Sequence, residues 1–164
     1  MDITASKILT SKKWLKSTDS DGRYSEAMAL KEQGKLEDAA DILLSSCIPP
    51  SIFHGHYHQL FIIWRSFNKS DLKQGAYSIV IDRIRTMLRF NDEMIACMTE
   101  HWSQRFHADV QSDYFDIYSN FLIFDANTLL KAAQAINDID NLKLAVELIN
   151  GFIAKKSSLR SKAG

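Results

Sequence analysis

The chain is short of the residues that make tight turns. Only six of its 164 residues are glycine and two are proline, where average usage would give about 20. Sandwiches and barrels need a turn roughly every ten residues, so this composition excludes them and favours helices. Cysteine is also scarce. Cys47 and Cys97 stand alone and far apart, which is neither a disulfide framework nor a zinc pattern. Long apolar runs are missing: the longest, such as 60–64 and 121–124, are far too short to cross a bilayer. Residues 1–10 lack the apolar stretch of a secretion signal. The expectation is a cytoplasmic protein with no membrane partner. Net charge is absent as well, with 20 basic residues against 20 acidic ones, which argues against a dedicated nucleic-acid binder.

What charge there is comes in blocks. Residues 65–90 hold six basic groups, Arg65, Lys69, Lys73, Arg83, Arg85 and Arg89, against two acidic ones, while 91–125 hold one against seven. The plain reading is that neighbouring helices pair their solvated faces. The sharper reading is a basic groove for an acidic or phosphorylated partner.

Apolar residues recur at helical spacing along most of the chain. Residues 4–17 carry Ile8, Leu9, Trp14 and Leu15, and the cluster Thr18-Asp19-Ser20-Asp21-Gly22 breaks that helix. Residues 23–33 place Tyr24, Ala27, Met28 and Leu30 three and four apart, and Gly34 ends them as a C-terminal glycine does. A helix over 36–47 stops at Pro49-Pro50, because proline has no amide hydrogen and disfavours helix at the residue before it. Ser51 caps an aromatic-rich helix over 52–67. Asn68-Lys69-Ser70-Asp71 reads as the next break, with a helix from 71 to 90. Asn91-Asp92 restarts helix to about 106, and Gln111-Ser112-Asp113 starts another through 124. The last pair falls at 126–137 and 141–155, parted by Asn137-Asp138-Ile139-Asp140. Residues 1–22 thus form an N-terminal helix and turn, 23–155 a helical domain, and 156–164 a basic, flexible tail.

Two stretches of this pattern match each other. Tyr24-x2-Ala27-x2-Leu30 followed by Leu36-x2-Ala39-Ala40-x-Ile42-Leu43 returns as Leu130-x2-Ala133-x2-Ile136 followed by Leu142-x2-Ala145-Val146-x-Leu148-Ile149. The offset is 106 residues at every matched position. Leu72-x2-Gly75-Ala76 repeats the start of the second helix at an offset of 36. Small residues such as Ala27, Ala39, Gly75, Ala133 and Ala145 are what close helix crossings require, with apolar neighbours as interlocking knobs. The stretch from Glu26 to Leu43 resembles a tetratricopeptide repeat, which has a small residue in its first helix, a glycine at the turn and an alanine in its second helix. The likeness covers about 30 residues, with a weaker copy at 130–149. The intervening units depart from it, with Ile63 in place of the small residue, Ser70 in place of the turn glycine, and Asp113 where alanine is expected. The resemblance implies an all-α, right-handed stack of eight or nine helices in antiparallel pairs, used for protein binding.

Catalytic chemistry finds no constellation. His54-Gly55-His56-Tyr57-His58 puts His54 and His58 on one helical face at i and i+4, a spacing that can hold a metal. No Glu, Asp or Cys within five residues completes the set, so neither a metal nor a cofactor is expected. His101 and His107 share no face. There is no nucleophile elbow, P-loop or dinucleotide fingerprint. Paired acids such as Asp92-Glu93 fall at expected helix starts, where they complement the helix N-terminus.

The aromatic run Tyr114, Phe115, Tyr118, Phe121 and Phe124 covers too wide an arc for a helix with a solvated back. It reads as a central helix, or as one whose tyrosines line a groove with a large apolar area and a polar tip. The function expected from all this is non-catalytic binding of a protein or peptide. The tetratricopeptide likeness implies that the first helices of each pair face the groove, which selects Tyr57, Trp64 and Arg65. Arg83, Arg85 and Arg89 are an electrostatic alternative, and Tyr114 and Tyr118 complete the candidate set. The rival is a nucleic-acid or phospholigand binder using the basic segments 65–90 and 155–162.

Overall fold

The computed structural model describes residues 22–47, 54–106 and 120–163, which form six helices and no strand. They are α1 (Arg23–Glu32), α2 (Leu36–Cys47), α3 (His54–Gln74), α4 (Tyr77–Phe106), α5 (Ile123–Ala135) and α6 (Ile139–Ala163). The chain is therefore all-helical among its described residues, as its poverty in turn residues implies. Six helices stand there in place of the eight or nine expected. The expected helix at 4–17, the stop at Pro49-Pro50, the cap at Ser51 and the start at Gln111-Ser112-Asp113 lie outside the described residues.

Two of the expected breaks are absent for physical reasons, one of them moved to Gly75 and the other, at Asn91-Asp92, merging two expected helices into one. Asn68-Lys69-Ser70-Asp71 does not break the chain, because α3 runs straight through it. Asn68 and Asp71 sit three apart on one face of that helix, and the Arg83 guanidinium donates to both, at 2.8 Å and 2.7 Å. Side chains that would otherwise compete for backbone hydrogens thus have a partner far along the chain. Asn91-Asp92 likewise lies within α4, and Asn91 is buried, accepting the backbone N–H of Asn120 at 2.7 Å. A third boundary moves. α5 begins at Ile123 rather than 126, because the Asp125 carboxylate accepts the Leu122 N–H at 2.8 Å and so caps the helix from its third residue. At the other end α6 continues through Ala163, taking in most of the basic tail.

Among the described residues, three hairpin turns are built alike. Gly34, Gly75 and Asn137 take left-handed backbone angles, with φ of 77°, 77° and 58°. In each, this residue's N–H bonds back three residues and the next N–H bonds back five. The pairs are Gly34 to Lys31 with Lys35 to Leu30, Gly75 to Leu72 with Ala76 to Asp71, and Asn137 to Gln134 with Asp138 to Ala133. That is the helix stop in which a left-handed residue lets the last carbonyls find donors. Glycine takes this conformation at no steric cost, and asparagine is the side chain that best tolerates it. Gly75 is therefore the turn itself, not a small residue inside a second helix. Gly34 and Asn137 stand 103 residues apart, three short of the 106-residue sequence match. Ala27, Ala39, Ala133 and Ala145 are all fully buried, yet they lie at different distances from their turns, out of register by close to one turn of helix.

By contact the chain divides into two compact units, residues 1–64 with 88–120 and residues 65–87 with 121–164. In the first, α1 packs on α2, and Ala27, Ala39, Leu43, Tyr57, Leu60, Phe61, Ile63 and Met94 are fully or almost fully buried. In the second, α5 packs on α6, and the buried set is Val80, Ile84, Met87, Ala126, Leu129, Ala132, Ala133 and Ala145. Each large apolar side chain removed from water contributes about 1.5–3 kcal/mol. Among the described residues, no helix is long and apolar enough to cross a membrane.

Candidate functional site

The candidate residues separate by unit. In the first unit the aromatic residues of α3 and α4 meet as a stack. Trp64 lies nearly parallel to Phe61 (6.3 Å between ring centres, 17°) and to Phe90 (6.1 Å, 24°). The Arg89 guanidinium sits 5.2 Å from the centre of the Phe90 ring. Phe61 and Phe90 are buried, Trp64 is half-buried and Arg89 is exposed. The stack rises from the core to the surface and ends in a cation whose face-on contact is electrostatically favourable.

Tyr57, expected on a groove, is fully buried instead, with its ring edge-on to Phe90 at 6.1 Å and 89°. Its place three and four residues before the core positions Leu60 and Phe61 on α3 explains this.

In the second unit the arginines of the basic block, Arg65, Arg83 and Arg85, are held by polar partners. Arg65 grips Asp125 with its Nε at 2.9 Å and 3.2 Å and its Nη2 at 2.8 Å, and that carboxylate is almost wholly buried. Such a forked arginine–carboxylate pair is the strongest kind of side-chain hydrogen bonding. Arg83 holds Asn68 and Asp71 while lying 5.5 Å from the centre of the Phe67 ring. Arg85 is exposed and donates to Asn141 Oδ1 at 3.1 Å. Asn141 in turn donates its side-chain amide to Asp138 at 2.7 Å and its backbone N–H at 3.2 Å. Those two bonds, aided by the Arg85 charge, hold the Asp138 carboxyl below its ordinary 3.8. Arg65, Arg83 and Arg85 therefore stabilise their own unit. Of the basic block's arginines, Arg83 and Arg89 both lie against an aromatic ring, and Arg89 is the one described there without a polar partner beside it. Tyr114 and Tyr118 lie outside the described residues.

Two histidines of the cluster, His56 and His58, are also engaged internally, and the His54 side chain lies outside what the structure describes. His56 is buried and edge-on to Tyr24 at 5.4 Å, and His58 Nδ1 lies 3.1 Å from Asn120 Oδ1. Among the described residues, no group of three His, Cys, Asp or Glu side chains is placed to hold a metal. Comparison of the chain with models of known protein families, with curated proteins and with solved structures finds no match.

The sequence reading did not expect one apolar set on the surface: Leu122, Ile123, Phe124, Ile136, Ile139, Val146 and Ile153 are all exposed, Phe124 among them although its aromatic run reads as a central helix. A seven-residue interval, visible in Ile139, Val146 and Ile153, is the signal that marks part of it.

Proposed function

We propose that this chain is a non-catalytic, cytoplasmic module that binds a protein or peptide, its helix pairs stacked in the right-handed manner of tetratricopeptide repeats. The observation that carries the reading is the shared construction of the three hairpin turns, each ending one helix and starting the next with the same two backbone hydrogen bonds. A chain that repeats one hairpin makes an extended surface instead of an enclosed pocket, and such surfaces serve recognition. The recognition residues are Trp64 and Arg89. Tryptophan and arginine are the types most enriched where binding energy concentrates, and here the stack on Phe61 and Phe90 holds the indole in one orientation before any partner arrives.

Binding of nucleic acid or a phospholigand is the second reading. Lys155, Lys156 and Arg160 favour it, because all three are exposed along the last turns of α6. Affinity capture from the native cell extract, followed by identification of what co-purifies, separates the two. Capture of one protein that withstands salt supports recognition by Trp64 and Arg89, and loss of binding with a steep dependence on salt supports the basic helix end. Arg89→Glu should abolish capture while leaving the melting midpoint within about 1 °C of the parent, whereas Arg83→Glu should lower the midpoint by several degrees. Equal loss of capture in both variants would mean that bulk charge alone matters.

A further inference from the structure

Among the described residues, the packing of α6 leaves one of its faces exposed. Asn141 and Ala145 are buried, whereas Ile139 and Ile153 are each 53% exposed and Val146 is 41% exposed. Leu142 and Ile149 lie between them and are half-buried. Positions 139, 142, 146, 149 and 153 alternate steps of three and four, which is the apolar seam of a coiled coil. The seam covers 15 residues, about 21 Å of helix. Three of its five members, Ile139, Val146 and Ile153, share one heptad position, and Leu142 and Ile149 share the other.

The charges at its two ends indicate what covers it. Asp138 and Asp140 stand at the start of α6, and Lys155, Lys156 and Arg160 near its end. A parallel copy of the helix would set like charges against like at both ends. An antiparallel copy sets acid against base. We propose that the exposed seam of α6 pairs antiparallel with the same seam of a second copy of this chain. In the register that places Val146 of one copy on Ile149 of the other, Leu142 meets Ile153. Ile139 then meets the apolar stem of Lys156, whose ammonium reaches Asp140 one residue away. Each end of the pair closes with the same ion pair, and the two-fold arrangement makes a closed dimer rather than a fibre. This self-pairing uses residues other than Trp64 and Arg89 and stands independently of the recognition reading.

The test is the molar mass of the full chain in solution, measured by sedimentation equilibrium at roughly 100 μM, well above a micromolar Kd. Twice the chain mass is expected, and a monomer at that concentration overturns the proposal. Val146→Glu places a carboxylate at the middle of the seam in both copies and should weaken association about a hundredfold or more. Ile153→Lys, one end of the seam away, should do the same. Both sites are exposed within the single chain, so helix content by circular dichroism should stay that of the parent. A dimer that persists in either variant overturns the seam. Asp140→Lys alone and Lys156→Glu alone should each weaken the dimer about five- to tenfold, since two ion pairs are reversed per dimer. Combining them should return the affinity to within about twofold of the parent. Failure of the combination to restore it rules out the antiparallel pairing.

Discussion

In the unit formed by residues 1–64 and 88–120, the largest buried groups are Tyr57, Phe61, Leu43, Leu60 and Ile63, with Phe90 almost as deep. In the unit formed by 65–87 and 121–164, α5 and α6 bury mainly alanine, at Ala126, Ala132, Ala133 and Ala145. The first unit fills its interior with rings. The second brings helices close through small residues and holds its edges with Arg65–Asp125 and Arg83–Asp71. The outside differs accordingly. Of nine exposed large apolar side chains among the described residues, eight belong to the second unit and only Ile62 to the first. Small residues allow close crossing but cover little area, so several large apolar residues of the α5–α6 hairpin, such as Phe124, Ile139 and Ile153, remain on its surface while Val80, Ile84 and Met87 are buried. Among the described residues, exposed apolar surface therefore lies mainly on the unit whose α5–α6 hairpin packs through alanine.

Deleting the largest contributor on each side tests that contrast most severely. Phe61→Ala and Asp125→Ala should each destabilise by about 3–5 kcal/mol, the first by opening a cavity and the second by stranding the Arg65 charge and uncapping α5. The two can be told apart by adding an isostere. Asp125→Asn should recover part of the loss because its amide oxygen still accepts the Leu122 N–H, whereas Phe61→Leu should leave a residual cavity. Urea denaturation with the midpoint read for all four variants decides it. Equal losses from Phe61→Leu and Phe61→Ala would mean that aromatic filling is not what closes the first unit.

A smaller effect sharpens the comparison at the alanines. Ala39→Leu and Ala145→Leu should each cost about 1–3 kcal/mol by overpacking, since both positions are fully buried. The loss should be greater at Ala145, where the unit relies on close approach. A thermal scan that left both midpoints unchanged would show that neither crossing is tight.

Much of this architecture is legible in the chain. The scarcity of glycine and proline indicated helices, Gly34 marked the end of α1, and Asn137-Asp138 marked the turn before α6. Continuity through Asn68 and Asn91 was not legible. Both are residues that favour helix ends when their side chains must serve nearby backbone, and here partners 15 and 29 residues away, Arg83 and Asn120, engage them. Tyr57 and Trp64 are equally aromatic members of one helix, so periodicity alone could not say which is buried and which is half-exposed. The arginine block shows the same difficulty, because the carboxylates and amides that bind Arg65 and Arg85 lie 60 and 56 residues away.

The smallest expected effects come from two acids with opposite shifts. Asp138 is held below its ordinary value by the bonds from Asn141, and Asp92 in the first unit is raised, first by desolvation and then by the charge of Glu93. A lowered folded value gives stability that is present above the unfolded value and lost as pH falls through the folded one. Asp138→Asn should therefore remove stability at neutral pH and converge with the parent in acid, below the ordinary 3.8. A raised folded value acts in the opposite sense, its contribution being present in acid and lost as pH rises. Asp92→Asn should stabilise slightly at neutral pH and lose that advantage below the ordinary 3.8. Melting midpoints taken between roughly pH 3 and 7 check both, and parallel curves for the two variants would contradict the assignment.

The interleaving of the two units has a consequence for how the molecule is made and dismantled. The backbone begins one unit, leaves it at residue 65 to lay down part of the other, returns at 88, and completes the second unit only after 121. A ribosome therefore delivers every residue of the first unit while the second is only begun, its 65–87 portion already outside and waiting for α5 and α6. The same ordering governs a protease: no single cut yields two fragments that each hold one whole unit. A nick after residue 120 leaves the first unit entire but attached to an orphaned stretch of the second, with Val80, Ile84 and Met87 deprived of the alanine-lined hairpin made later in the same unit.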